Sequence, residues 1–381
     1  MPYRRTTFSK FIIDDQRRRG GGDTDLTALL NDVQTACKFI ATAVARGTLH
    51  PIANPLCGEP DAPPSGSPTS TNVHGEVQKP LDLIANEIML RTCEYGGQLC
   101  GMASEEMDEP YAIPPEYPRG RYLLLFDPLD GSSNLDVNLT VGTIFSILRA
   151  PEGVDEPTVA DFLQPGTRQV AAGFSLYGPA DMIVASFGAG VHGFTMDREI
   201  GAYTLTHPDM RIPEAACEFA INASNERFWE PPVRRYVEEC TRGRTGPRGQ
   251  DFNMRWNACF VTEVYRILTR GGVFLYPRDV RPSHKPGRLR LLYEANPMGM
   301  LVEQAGGVAS TGRERIMEVQ PTSLHQKVPV ILGSKAEVER IVAYHTAHDR
   351  GEDAAFHAPL FGTRSLFLDT GFLDTGTTPH A

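Results

Sequence analysis

The segment Phe126-Asp127-Pro128-Leu129-Asp130-Gly131-Ser132-Ser133-Asn134 constrains this chain more than any other. It follows directly on the apolar run RYLLLF, residues 121–126, which has the length of a buried strand. Such a strand delivers Asp127 to a sheet edge, and Pro128, which lacks an amide proton, is expected to end the ladder there. Asp127 and Asp130 then turn toward one point, with the Leu129 carbonyl as a third oxygen between them. Hard cations such as Mg2+ take oxygens of this kind and keep their other positions for water and phosphate. Gly131, Ser132 and Ser133 follow with small side chains, and their amides suit an anion nest. The plainer reading is an Asp-Pro and Asp-Gly turn kept for its geometry alone.

Further acidic segments favour the cation site. Ser104-Glu105-Glu106 sets adjacent carboxylates after a short apolar stretch. On a strand they would face opposite sides, one toward a metal and one toward another task. Asp82 falls in the first turn of a helical pattern, with Glu76 just before it, and Glu294 closes the run from Arg288.

The rest of the chain offers a scaffold for such a site. Its 381 residues suggest two or three domains, and 41% hydrophobic with 22% charged residues excludes a mostly disordered chain. A net charge of −10 repels polyanions, so no nucleic-acid partner is expected. No apolar stretch reaches the roughly 18 residues of a membrane span, and the N-terminus lacks a signal-peptide pattern. The seven cysteines form no CxxC pair and are read as reduced thiols of a cytoplasmic protein.

Residues 1–23 read as a loose arm, and 25–46 as a helix with apolar residues at spacings of three and four. Residues 54–72 read as a long loop rich in Pro, Ser and Gly, and 80–95 as a second helix. Strands are expected at 122–126, 143–148, 170–177, 182–187, 191–196 and 202–206. A domain boundary is placed within 206–216, giving domains 1–206 and 207–381. Beyond it, helices are expected at 257–269, 295–305 and 335–348, strands at 273–276 and 328–332, and a poorly ordered tail after about 366. The mixture indicates an α/β protein of stacked layers, not a repeat array. The basic runs Arg17-Arg18-Arg19 and 242–249 read as solvated loops.

Together these segments resemble class I fructose-1,6-bisphosphatase over about residues 8–366. The resemblance rests on STN at 70–72, GEVQKPLD at 75–82, SEE at 104–106 and FDPLDGSSN at 126–134. It continues through VGTIFSI at 141–147, LQPG at 163–166, FLYP at 274–277, RLRLLYEANPM at 288–298 and VPVILGS at 328–334. DPLDG alone is shared by the wider class of Mg2+-dependent, lithium-sensitive phosphatases. The LRLLYEANPM run, residues 289–298, is specific to the fructose bisphosphatase branch.

The resemblance implies an α-β-α-β-α sandwich, a homotetramer, and hydrolysis of fructose 1,6-bisphosphate. Glu105, Asp127, the Leu129 carbonyl, Asp130 and Glu294 would hold two or three Mg2+ ions, with Mn2+ as a substitute and Glu76 joining through a third metal or its waters. The metals are expected to activate the enzyme and to order the 54–72 loop. Asp82 and Glu106 would take a proton from the attacking water. Gly131, Ser132 and Ser133 would hold the 1-phosphate. Asn222, Arg255, Tyr276 and Arg288 match positions that bind the sugar and its 6-phosphate, Arg255 reaching in from a neighbouring subunit. Asp25, Leu26 and Thr27, with Arg121, Tyr122 and Arg149, match an AMP effector site, against which stands plain helix capping. Arg288 stands where lysine is common, and Asn225 and Trp256 where tyrosines are common. The sugar therefore stays open between fructose 1,6-bisphosphate and sedoheptulose 1,7-bisphosphate. A catalytically silent, nucleotide-sensing protein is the reading from another class. The pathway is gluconeogenesis or the reductive pentose phosphate (Calvin) cycle.

Overall fold

The computed structural model describes residues 5–47, 80–280 and 287–352. Glu76, the 54–72 loop and the tail after 366 lie outside them.

Helices run over Phe8–Arg18 (α1), Thr24–Arg46 (α2), Pro80–Cys93 (α3), Val159–Phe162 (α4), Pro231–Thr241 (α5), Phe260–Arg270 (α6), Asn296–Gln304 (α7) and Lys335–Asp349 (α8). The first strands are Leu99–Ser104 (β1), Tyr111–Ala112 (β2), Tyr122–Asp130 (β3), Val141–Arg149 (β4), Ala171–Tyr177 (β5), Asp181–Ser186 (β6), His192–Asp197 (β7) and Ala202–His207 (β8). They form one sheet in the order β2-β1-β3-β4-β5-β6-β7-β8. Among the described residues its one parallel pair is β1 with β3. The later strands are Glu218–Ile221 (β9), Asn253–Met254 (β10), Val273–Tyr276 (β11), Leu289–Arg290 (β12), Val308–Ser310 (β13), Lys327–Val328 (β14) and Val330–Gly333 (β15). A second sheet has the order β10-β9-β11-β15-β13, and β12 pairs with β14 as a ribbon.

The strands carry apolar side chains on both faces, so each sheet needs a layer on either side. On β4, Phe145 and Ile147 join one core, while Ile144 joins another. The first core is closed by α1, α2 and α3 through Phe8, Ile12, Leu29, Ile40 and Met89. The second lies between the sheets and is filled by α6 and α7, with Val264, Ile267, Met298 and Leu301 against Phe174, Phe274 and Leu332. The third packs Val233 and Tyr236 of α5 and Val338 and Ile341 of α8 onto Phe219, Val273 and Leu275. The layers are therefore α-β-α-β-α, as the family resemblance implied. Phe174 is fully buried in the middle of this stack, and trimming such a side chain to alanine costs about 3–5 kcal/mol.

The N-terminal arm is a correction, because residues 8–18 of it form α1. Thr7 caps it by accepting from the Lys10 amide. Phe8, Phe11 and Ile12 make the buried stripe, and Phe8 and Phe11 meet Phe194 edge-on at 5.0 and 5.4 Å. Charged residues on the outer face masked this short stripe. The arginine run is exposed, as expected, but it is not a loop: Arg17 and Arg18 close α1, and Arg19 pairs with Asp15 and donates to the Phe187 carbonyl. Strands β9 and β13 and helix α5 were not anticipated either.

Candidate active site

Strand β3 does not stop at Pro128. It continues to Asp130 through a bulge: Asp127 pairs with Ile144 and Asp130 with Gly142, so three steps on β3 span two on β4. Residues three apart on a regular strand point to opposite faces. The extra residue brings Asp127 and Asp130 back to the same side. Pro128 needs no ladder proton in the bulge, and its carbonyl accepts from Thr143 Oγ1 at 2.8 Å. The Leu129 amide donates to Asp127 Oδ1 at 3.0 Å.

Glu105 and Glu106 also differ from expectation. β1 ends at Ser104, and the two carboxylates stand in the turn that follows, not on opposite faces of a strand. Ser104 Oγ donates to Asn86 Oδ1 at 2.6 Å and accepts from the Glu106 amide at 3.2 Å. Asn86 is one helical turn beyond Asp82 on α3, so Asp82 lies on the helix face turned toward this corner. Asp82 itself is buried.

Glu294 comes from the far half of the chain. Between β12 and α7 the backbone makes a π-helical turn, Leu291–Ala295, and Leu292 and Tyr293 pack behind β3 against Leu123 and Leu125. Turns of this kind recur at functional sites. Here it lowers Glu294 onto the sheet: carboxylate oxygens of Glu105, Asp127 and Glu294 all lie within 4.8 Å of one another.

The crowding shows in the acidities. Burial, and then the charge of Glu105, hold Asp127 well above the usual carboxylate range. Burial and Glu105 do the same to Glu294, opposed by Arg290. Burial pushes Asp130 up to about 6, opposed by hydrogen bonds from the Val261 amide and Cys259. Like charges packed this closely demand a counter-charge. Part of it is Arg290, buried, which pairs with Glu105 and whose amide donates to Glu294 Oε2. Glu105 Oε2 is buried and has no hydrogen-bond partner among the described residues. A hard divalent cation fits this all-oxygen donor set and would satisfy that atom. Arg290 was not singled out in the sequence, although it sits within the quoted RLRLLYEANPM run.

Beside the carboxylates, Gly131 takes a left-handed conformation (φ +76°), and Ser132 opens a short 3-10 turn, Ser132–Val137, that includes Ser133. Asn222, Asn225, Trp256, Tyr276 and Asp279 line one small pocket. Trp256 stacks on Phe274, with ring centroids 5.8 Å apart. Asn222 Oδ1 accepts from the Ser224 amide at 3.1 Å. Arg288 stands 3.7 Å from Asp279. Arg255 is not among the residues lining this pocket; it lines another cleft with Tyr265 and Arg270, and its Nε donates to Glu218 at 3.1 Å.

At the start of α2, Asp25 pairs with Arg121 at 3.2 Å. The hub there is a residue the sequence did not flag. Asp23 caps α2, accepting from the Leu26 amide at 3.0 Å, from Arg121 at 2.7 Å, from the Tyr122 hydroxyl and from Arg149 at 3.4 Å. Thr27 Oγ1 bonds Gln16.

A layered α/β fold with buried carboxylates converging beside a glycine-led turn defines a cation-dependent, phosphate-handling protein. The comparisons with known proteins narrow the class. A family model described as "Fructose-1-6-bisphosphatase, N-terminal domain" matches residues 6–208, and its C-terminal counterpart matches 212–346. A protein of Methylacidiphilum infernorum (isolate V4) named fructose-1,6-bisphosphatase class 1 is 61% identical over 367 residues, 96% of this chain and 99% of that protein. One of the same name from Hydrogenophilus thermoluteolus is 58% identical over 363 residues, 95% of this chain and 97% of that protein. The crystal structure of Leishmania major fructose-1,6-bisphosphatase in holo form superposes with a TM-score of 0.79 at 34% identity, covering 90% of this chain and all of that one. The chain belongs to the fructose-1,6-bisphosphatase family.

Proposed function

We propose that the protein hydrolyses fructose 1,6-bisphosphate to fructose 6-phosphate and inorganic phosphate. The observation that carries this reading is the convergence of the Glu105, Asp127 and Glu294 carboxylate oxygens to within 4.8 Å, within a chain of this family. In it, Glu105, Asp127, the Leu129 carbonyl, Asp130 and Glu294 would hold two or three Mg2+ ions, or Mn2+ in their place. When bound, the cations neutralise the phosphoryl oxygens and stabilise the leaving oxygen.

The chain's own groups do the remaining work. The amides of Gly131 and Ser132, with Ser133 beside them, hold the 1-phosphate; the left-handed Gly131 supports this role. Asp82 and Glu106 take the proton of the attacking water, a role supported by the Ser104 and Asn86 contacts that tie their two segments together. Asn222 and Tyr276 orient the sugar, and Arg288 the 6-phosphate. Arg255 serves the neighbouring subunit of a homotetramer; its place in a separate cleft supports that assignment. In this reading residues 1–206 supply most cation ligands and 207–381 most of the sugar site. The protein works in the cytoplasm, and its product suits gluconeogenesis and the Calvin cycle alike.

AMP is the proposed inhibitor at the start of α2. Asp23 already engages Arg121, Tyr122 and Arg149. A nucleotide phosphate must displace that carboxylate, so inhibition is expected to be weak. The substrate is tested by comparing phosphate release from fructose 1,6-bisphosphate and sedoheptulose 1,7-bisphosphate. A clear preference for the second would reassign the sugar, and turnover of neither would leave the silent, nucleotide-sensing alternative.

A further inference from the structure

Asp130 has two carboxylate oxygens, and the first turn of α6 has taken one of them. The Val261 amide donates to Oδ2 at 2.8 Å, and Cys259 Sγ lies 3.3 Å from the same oxygen. Thr262 Oγ1 donates to that sulfur at 3.3 Å, which leaves the thiol hydrogen to point at Asp130. All three donors belong to one short stretch at the head of an 11-residue helix, where a carboxylate also meets the favourable end of the helix dipole.

The same stretch walls in the turn that follows Asp130. A Cβ on Gly131 would sit 2.7 Å from Cys259 Cβ, so the turn closes directly against this side chain. Asn134 Nδ2 reaches the Asn257 carbonyl at 3.1 Å from the other end of the turn. Immediately before it, Trp256 lines the small pocket beside Tyr276.

We propose that Cys259 is a positioning residue for Asp130: it fixes Oδ2, leaves Oδ1 to the cation, and couples the cation site to the strand-to-helix corner that carries Trp256. The proposal rests on the cation-dependent phosphatase reading and adds to it a residue outside the donor set. A thiol is a weak donor, yet its acceptor is charged, and such bonds are the stronger kind.

The test uses full-length wild type, Cys259→Ala and Cys259→Ser, each checked by thermal melting. Mg2+ binding to the metal-free protein is measured by calorimetry, and kcat and KM are measured at saturating Mg2+. Removing the donor should weaken Mg2+ binding by about tenfold, the effect of one charge-assisted bond. The kcat of Cys259→Ala at saturating Mg2+ should stay within about threefold of wild type, because the loss acts through affinity. Serine keeps a hydroxyl donor and should restore most of the affinity. Equal Mg2+ affinity in wild type and Cys259→Ala would overturn the proposal. So would a folded Cys259→Ser protein as weak as alanine, since packing and not the donor would then matter. A wild type that binds Mg2+ but releases no phosphate would instead overturn the enzymatic reading, with the calorimetric comparison still deciding the role of Cys259.

Discussion

Asp82 and Glu106 are the side chains whose loss should separate chemistry from folding. Asp82→Ala or Glu106→Gln is expected to lower kcat by about 10²–10⁴-fold, the usual share of a positioned proton acceptor. Melting temperature should hardly move, and near-normal turnover in a folded variant would remove the role. Arg290 belongs to the opposite class, because it opposes the charge of Glu105 in a buried setting. Arg290→Ala should destabilise the protein in chelator by about 3–5 kcal/mol, the cost of leaving a buried charge uncompensated. Denaturant melts with and without Mg2+ check this, and added Mg2+ should recover part of the loss. Asp127 and Asp130 were legible because they share one nine-residue segment with its own turn chemistry. The pairing of Glu105 with Arg290 was not, since nothing local in either segment names a partner from the other half of the chain. Glu294 stood out as an acidic residue closing an apolar run, its ligand role came from the family resemblance, and the structure supplies the reason: the π-helical turn that carries it across to β3.

The start of α2 shows how one element can be read correctly and its chemistry missed. The 25–46 helix was visible from its apolar spacing, and the structure places it at Thr24–Arg46. Its capping residue Asp23 is what engages Arg121, Tyr122 and Arg149. Burial raises the Asp23 pKa, but the Tyr122 and Leu26 hydrogen bonds and the Arg121 charge outweigh it, so the pKa lies below the ordinary 3.8. A depressed carboxylate gives stability that is present above its unfolded value and is lost as pH falls through the folded one. The junction of α2 with β3 and β4 should therefore loosen only at acid pH. Hydrogen exchange at the Leu26 amide reads this: protection should fall below about pH 4 in wild type and should be low at every pH in Asp23→Ala. The same variant should be more sensitive to AMP, because the competing anion is gone. Unchanged AMP response would discard the α2 effector site. Helix α1 escaped notice for a different reason: its stripe is three apolar residues and a buried Asp15 inside a run of charges. Strand β9 has only four residues, too short for a period to declare itself.

Across the entire chain, the five layers explain why the cation site needs both family segments. β1 and β3 deliver Glu105, Asp127 and Asp130, the π-helical turn before α7 delivers Glu294, and the head of α6 holds Asp130 in place. Strands β3 to β8 of the first sheet were legible from apolar runs; their pairing order was not, because sheet order is set by contacts between distant segments. Divalent cation should bind the folded chain and not the unfolded one. At about a hundredfold over its dissociation constant it should add about 2.7 kcal/mol of stability. The most direct measurement is the rate of inorganic phosphate release from fructose 1,6-bisphosphate by purified protein as free Mg2+ is titrated from zero. The buried carboxylate site predicts no release in chelator and saturable activation as Mg2+ rises. Release that persists undiminished in chelator, or that never appears at any Mg2+ concentration, would contradict it.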